Sequence, residues 1–99
     1  MNTQTDIATY QNDEVDVLDE VSHQFQLIVW NDDFNTFDWV IKALIEVCKH
    51  ESEQAEQCTM LIHFKGKCTV KSGTYDDLKS MHTGIIDRGI DASIEELVS

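Results

Sequence analysis

A six-residue run of mainly apolar residues ends abruptly at a carboxamide and two carboxylates. The run spans Phe25–Trp30 and is directly followed by Asn31, Asp32 and Asp33, after which the periodicity of a helix begins. Its last four residues are all apolar, which is typical of a strand that is central in a small sheet or covered on both faces. Buried strands normally exit into neutral turn formers. The corner therefore carries a surplus of hydrogen-bond acceptors.

Length and charge restrict what the chain can be. Its 99 residues, 41% of them hydrophobic, are enough for one modest core. A formal net charge of -12 repels nucleic acids and anionic membrane surfaces. No apolar stretch reaches the roughly 20 residues that span a bilayer, and the N-terminus lacks the pattern of a signal peptide. We expect a cytoplasmic, monomeric protein that binds neither nucleic acid nor membrane.

Residues 1–22 differ in composition from the rest of the chain. They contain aspartate and glutamate but no lysine or arginine, and they show no sustained apolar period. This composition predicts a flexible acidic arm, followed by a core domain over residues 23–99.

Apolar periodicity and capping residues divide this domain into six elements. The first predicted strand covers 24–30 and is followed by two helices, one capped by Asn35 or Thr36 and ending near His50, the other with Ser52 as its N-cap and Gly66 as its stop. A second strand over 67–72 leads to a helix from Thr74 to Gly89, and the last strand lies within 90–97. The inner stripe of this third helix consists of Leu78, Met81, Ile85 and Ile86. The order β-α-α-β-α-β predicts an α+β fold, a small two-layer sandwich with three helices on a three-stranded antiparallel sheet. The strand order stays open.

His63, near the end of the second predicted helix, adds an acceptor to those of the corner. A primary ammonium group has three donors, and a carboxamide oxygen, a carboxylate and a neutral imidazole nitrogen would satisfy them. Asn31, Asp33 and His63 are the candidates. The alternative is that the corner only ends a strand and screens a helix dipole, while His63 is a hydrogen-bonded core histidine.

Two segments resemble the ClpS adaptors of the bacterial Clp proteases. They are Asn31-Asp32-Asp33 after the apolar strand and His63-Phe64-Lys65-Gly66-Lys67 further on, within a resemblance that covers about residues 23–97. The resemblance implies an N-degron adaptor of the N-end rule, which is not an enzyme. Such an adaptor binds a free N-terminal Phe, Tyr, Trp or Leu and delivers the substrate to the N-domain of a ClpA- or ClpC-type AAA+ ATPase. In the family a flexible N-terminal extension takes part in delivery, whereas the composition of residues 1–22 by itself indicates only a solubilising tail.

The resemblance also implies roles for individual residues. Asn31, Asp33 and His63, with Asp32 nearby, would surround the substrate's α-amino group. The hydrophobic side-chain pocket would be lined by Asn35, Phe37, Val40, Thr59 and Ile62. Asp76 matches loosely an acidic position that faces the ATPase. The chain departs from the common family pattern, because Asn35-Thr36 replaces a frequent Thr-Pro pair and Phe37 and Thr59 stand where methionine is common.

Other function classes have weaker support. A structural or protein-interaction domain, with the acidic corner as a mere helix cap, is the main alternative. A hand-type calcium site lacks its glycine and its final glutamate, and no serine or cysteine lies in a recognisable nucleophile turn. Cys48, Cys58 and Cys68 have neither zinc-ligand spacing nor an even count. We therefore expect packed thiols, and no metal or other cofactor.

Overall fold

The computed structural model describes residues 24–97, so the predicted arm over 1–22 lies outside the described residues. The elements are β1 (Phe25–Trp30), α1 (Phe37–Cys48), α2 (Ser52–Lys65), β2 (Lys67–Gly73), α3 (Tyr75–Asp87) and β3 (Ala92–Glu96). This order confirms the predicted β-α-α-β-α-β arrangement and the α+β class.

The apolar first strand is the centre of the sheet. The strand order is β2-β1-β3, and both pairings are antiparallel. In this register Val29 lies opposite Cys68 on one side and Ala92 on the other. Because β1 has a neighbour on each edge and its middle residues are buried, an uninterrupted apolar run suits it better than strict alternation.

Helices pack on one face of the sheet and form a single core with it. Leu27 and Val29 are fully buried and point to the same face because strand side chains alternate. They join a cluster that draws on all three helices, namely Val40, Ala43, Leu44, Cys48, Ala55, Ile62, Val70, Leu78, Ile85, Ile90 and Ala92.

The helix ends follow capping chemistry, with one correction to the predicted boundaries. Thr36 is the N-cap of α1, and its hydroxyl accepts a hydrogen bond from the Trp39 amide at 3.1 Å. Gly66 ends α2 with φ at 94°, a conformation that glycine adopts without steric cost. The prediction of Ser52 as an N-cap was wrong. The first helical carbonyl belongs to Glu51, which accepts from the Ala55 amide at 2.9 Å, so Ser52 is already helical.

The core histidine of the domain is His50 rather than His63. His50 is buried, and its Nε2–H donates to the Val70 carbonyl at 2.8 Å, which joins the α1–α2 connection to β2. A carbonyl can only accept, so His50 is the donor. His63 is exposed instead, which removes the alternative that it is a hydrogen-bonded core residue.

All three cysteines carry free thiols. Cys48 is buried, and Cys58 and Cys68 are half-buried. Burial raises the pKa of Cys48 to about 11 and that of Cys68 to about 12, so these thiols stay protonated near neutral pH and contribute to packing. Within residues 24–97 no group of side chains is suited to a metal ion, and no helix is long and apolar enough to cross a bilayer.

Candidate functional site

One pocket gathers nearly all of the predicted site residues. It encloses about 330 Å³ between the β1–α1 corner, the start of α1 and the second half of α2. Its lining consists of Asn31, Asp32, Asp33, Asn35, Thr36, Phe37, Val40, Thr59, Ile62 and His63. Thr36 is the one lining residue that the predicted site did not include. Asp76 is not part of it.

A backbone hydrogen bond brings the two halves of the pocket together. The Asn31 amide donates to the Gly66 carbonyl at 2.9 Å, directly after β1 pairs Trp30 with Lys67. Gly66 ends the helix that carries His63. The corner and the last turn of α2 are therefore neighbours, although they are about thirty residues apart in the chain.

The inner part of the pocket is apolar. Val40, Thr59 and Ile62 are all buried. The Thr59 hydroxyl donates to the Ala55 carbonyl within the same helix at 2.7 Å, so its polar group is already satisfied and the residue behaves as a short, branched apolar side chain. Threonine at this position therefore adds less polarity to the pocket than its residue type alone suggests.

Three polar side chains of the pocket have no hydrogen-bond partner among the residues that the structure describes. Asn31, Asp33 and His63 are exposed, and among the hydrogen bonds of residues 24–97 none engages their side chains. They offer a carboxamide oxygen, a carboxylate and an imidazole nitrogen beside the apolar interior.

The side chain of Asp32 differs from that of its neighbour Asp33 in its hydrogen bonding. Its Oδ1 accepts from the Phe34 and Asn35 amides at 2.8 and 2.7 Å, and its Oδ2 accepts from Asn35 Nδ2 at 2.6 Å. Partial burial acts to raise the pKa of Asp32, but the hydrogen bonds from Asn35 and Phe34 outweigh it and hold the pKa below its ordinary value. Asp32 thus builds the corner, and Asp33 is left to face the pocket.

Asn35 connects the corner to a distant turn. Its Nδ2 donates to Asp32 and also to the Gly89 carbonyl at 2.9 Å, beyond the end of α3. Trp39 makes a parallel connection, with its Nε1 donating to the Arg88 carbonyl at 3.0 Å. Sequence reasoning missed Gly89 and Trp39, because no local signal marks contacts between residues about fifty positions apart.

Aromatic rings flank His63. The Phe37 ring lies edge-on to the imidazole with centroids 6.2 Å apart, and the Phe64 ring lies edge-on at 5.0 Å. Phe37 is 40% exposed and Phe64 is 73% exposed. Phe37 lines the pocket at its rim, whereas Phe64 contacts His63 without lining the pocket.

Asp76 lies on another part of the surface. It is exposed in the first turn of α3, a helix that Thr74 caps by accepting from the Asp77 amide at 3.2 Å. An acidic side chain is favourable at a helix N-terminus, so its position has a structural explanation. Its role as an ATPase contact stays a prediction.

Removal of the Asp32 carboxylate is expected to destabilise the domain in a pH-dependent way. For Asp32→Ala the free energy of unfolding should fall by about 1 to 3 kcal/mol near neutral pH. A lowered folded-state pKa stabilises above the ordinary carboxyl pKa, and this contribution is lost as the pH falls through the folded-state value. The difference from wild type should therefore shrink in acid, as measured by urea unfolding.

Asp33→Ala is the matched control for this measurement. It removes the adjacent carboxylate, which forms no hydrogen bond within residues 24–97, so the unfolding free energy should change by less than about 0.5 kcal/mol. Equal losses in the two variants would contradict the division of roles between the aspartates.

The fold and the pocket define a small α+β domain with unpaired acceptors beside an apolar cavity. Residues 20–90 match the family model described as ATP-dependent Clp protease adaptor protein ClpS. The chain therefore belongs to the ClpS family.

Curated relatives carry the same description. The ATP-dependent Clp protease adapter protein ClpS of Acetivibrio thermocellus is 36% identical over 56 residues, which are 57% of either chain. The ClpS protein of Helicobacter hepaticus is 34% identical over 62 residues, 63% of either chain. That of Thermosynechococcus vestitus is 30% identical over 67 residues, 67% of this chain and 71% of the relative. The matched part is thus 57% and 63% of the length of the first two relatives.

A solved structure has the same fold. Agrobacterium tumefaciens ClpS2 bound to L-phenylalaninamide superposes with a TM-score of 0.73, covering 77% of this chain and 99% of that one. Sequence identity is 17%, so this likeness supports the fold alone.

Proposed function

We propose that the domain is an N-degron adaptor. It binds a protein that begins with a free α-amino group and a Phe, Tyr, Trp or Leu side chain, and it delivers that protein to a ClpA- or ClpC-type AAA+ ATPase. The observation that carries the proposal is a set of three side chains around an apolar cavity, Asn31, Asp33 and His63, none of which has a hydrogen-bond partner in the described part of the chain.

The acceptors match an ammonium group in number and type. An α-ammonium has three N–H donors, and the set offers one carboxamide oxygen, one carboxylate and one imidazole nitrogen. Charge-assisted hydrogen bonds contribute roughly 1.5 to 3 kcal/mol each. A carboxylate at this position also neutralises the positive charge, which a purely neutral acceptor set would leave uncompensated.

The cavity supplies the second part of the interaction. Burying one large apolar side chain contributes about 1.5 to 3 kcal/mol. Together with the ammonium bonds, and after ordering costs are subtracted, a single residue can reach roughly micromolar affinity, about 8 kcal/mol. The bound L-phenylalaninamide of Agrobacterium ClpS2 carries a free amine and a benzyl group, which is the chemistry proposed here.

The structure gives less support to the alternative that the acidic corner only caps a helix. The cap of α1 is Thr36, whose hydroxyl accepts from the Trp39 amide. Asp32 builds the turn before it, but the side chains of Asn31 and Asp33 make no hydrogen bond to either feature within residues 24–97. Their unpaired acceptors support the adaptor proposal over a role confined to local structure.

Delivery requires that substrate and ATPase bind at separate places. The pocket lies between the corner, α1 and α2, while Asp76 lies in the first turn of α3 and does not line it. We propose Asp76 as a contact to the ATPase N-domain. We also propose that the protein acts as a cytoplasmic monomer and that binding and release require no catalysis.

A binding screen over all twenty first residues tests the proposal. Peptides that differ only at the first position are titrated by fluorescence anisotropy. We expect Phe, Tyr, Trp and Leu to bind at roughly micromolar concentration and glycine, aspartate and lysine to bind at least about tenfold more weakly, because they leave the cavity empty or bury a charge. A flat ranking would contradict the proposal.

Phe37 is expected to restrict which side chains enter. Its ring is held edge-on against His63 at the pocket rim. In Phe37→Ala the rim widens, so Ile- and Val-initiated peptides should gain affinity relative to the Phe-initiated peptide, by at least about threefold. Phe64→Ala is the matched control because Phe64 also contacts His63 but does not line the pocket, and it should leave the ranking unchanged. The same shift in both variants would exclude a selective role for Phe37.

A further inference from the structure

We propose that Asn35 is a positioning residue for the α-amino site, because it fixes the corner that presents Asp33 through bonds to Asp32 and Gly89. The inference deepens the proposed function and rests on it. It gives Asn35, which also lines the side-chain pocket, a second role as a support for the ammonium acceptors.

The carboxamide of Asn35 has both of its hydrogens engaged. One is donated to Asp32 Oδ2 at 2.6 Å and the other to the Gly89 carbonyl at 2.9 Å. The Asn35 backbone amide donates to Asp32 Oδ1 at 2.7 Å. Two bonds thus join the same pair of residues, so the Asp32 carboxylate has little rotational freedom.

The turn whose carbonyl accepts the second of these hydrogen bonds is itself held in place by backbone hydrogen bonds. The Gly89 amide donates to the Ile86 carbonyl at 2.9 Å, and the Trp30 amide donates to the Asp91 carbonyl at 3.0 Å. Gly89 has φ at 79°, which a side chain at that position would disfavour. The end of α3 and the central strand therefore fix the position of the Gly89 carbonyl.

Asp33 lies inside the turn that these bonds close. The residue before it is Asp32, and the amide of the residue after it, Phe34, donates to Asp32 Oδ1 at 2.8 Å. On the other side, Asn31 is fixed by its amide bond to Gly66. The corner thus has one anchor at the end of α2 and another at the turn after α3, and Asn35 joins Asp32 to the second. A protein binds its ligand less tightly when the hydrogen bonds that hold its binding groups in position are removed.

Comparison of Asn35→Ala with Trp39→Phe tests the inference. Trp39 also donates to the turn after α3, at the Arg88 carbonyl, but among its side-chain hydrogen bonds within residues 24–97 none reaches Asp32. Both variants are first checked for folding by circular dichroism. In Asn35→Ala, Phe- and Leu-initiated peptides should lose affinity equally, by about threefold to tenfold, because a displaced Asp33 makes a poorer hydrogen bond to the α-ammonium group. In Trp39→Phe the loss should stay within about twofold.

A carboxyl titration supplies a readout that simple loss of stability would not change. The titration of the Asp32 carboxyl group is followed by the NMR chemical shift of its carboxyl carbon. The pH midpoint of this titration should rise in Asn35→Ala and remain at the wild-type value in Trp39→Phe, because only the first variant removes a hydrogen-bond donor to Asp32. Asn35→Thr retains one hydroxyl donor and should give intermediate affinity, which keeps the test available if the alanine variant does not fold.

The outcomes separate this inference from the proposed function. If wild type distinguishes a free from an acetylated N-terminus while Asn35→Ala binds as tightly as wild type, only the inference is overturned. Unequal losses for Phe- and Leu-initiated peptides would assign Asn35 to the pocket wall and also overturn it. If wild type makes no such distinction, the proposed function fails and the inference fails with it.

Discussion

Acetylating the α-amino group of a Phe-initiated peptide is expected to reduce its affinity for this domain by at least about 100-fold. Acetylation removes the positive charge and leaves one N–H donor where there were three. Two lost charge-assisted bonds at roughly 1.5 to 3 kcal/mol each account for at least about 3 kcal/mol, and each 1.4 kcal/mol is about tenfold in affinity. Fluorescence anisotropy on the two peptides measures the ratio.

The control peptide carries the acetyl group on a lysine side chain several residues further on. It has the same change in charge but leaves the N-terminus free, so its affinity should stay within about twofold of the unmodified peptide. Equal affinity of the N-acetylated and free peptides would exclude α-amine recognition.

Asp33→Asn is expected to weaken binding of the same peptide by about tenfold to 100-fold. The substitution keeps the size of the side chain and removes the one carboxylate of the pocket lining that has no hydrogen-bond partner within residues 24–97. Loss of a charge-assisted hydrogen bond of roughly 1.5 to 3 kcal/mol gives this range. The melting temperature should hardly change, since Asp33 is exposed and makes no hydrogen bond within the described residues.

Asp38→Asn is the matched control for Asp33→Asn. Asp38 is an exposed acidic residue in the first turn of α1 and does not line the pocket. The substitution reduces the negative charge of a chain with net charge -12 by the same unit. Its affinity should stay within about twofold of wild type. Equal losses in both variants would assign the effect to the overall charge of the protein rather than to a site.

The elements of the fold could be predicted because local signals mark them. The apolar run of β1, the hydroxyl of Thr36 and the glycine at position 66 each act within a few residues. The strand order could not be predicted, because the pairing of β1 with both other strands depends on contacts across the chain. The prediction that Ile86 belongs to the inner stripe of α3 was wrong, since it is 42% exposed. Ile85 occupies the buried position, and the next residue is turned about 100° around the helix.

The residues that line the pocket were easier to predict than the role of each of them. Residue type and family resemblance together suggested nine of the lining residues, from Asn31 to His63. They could not show that Asp32 and Asp33, two identical neighbours, have different surroundings. That difference depends on Asn35 and on a carbonyl 54 positions away at Gly89, and such a tertiary contact leaves no periodicity or spacing in the sequence.

A double-mutant cycle between Asp33→Asn and N-acetylation of the peptide tests the central claim most directly. Four affinities are measured, for wild type and variant with the free and the acetylated Phe-initiated peptide. If Asp33 binds the α-ammonium group, the two changes are not additive, and the acetylation penalty in Asp33→Asn should be at least about tenfold smaller than in wild type. An equal penalty in both proteins would mean that Asp33 does not contact the α-amino group and would contradict the account.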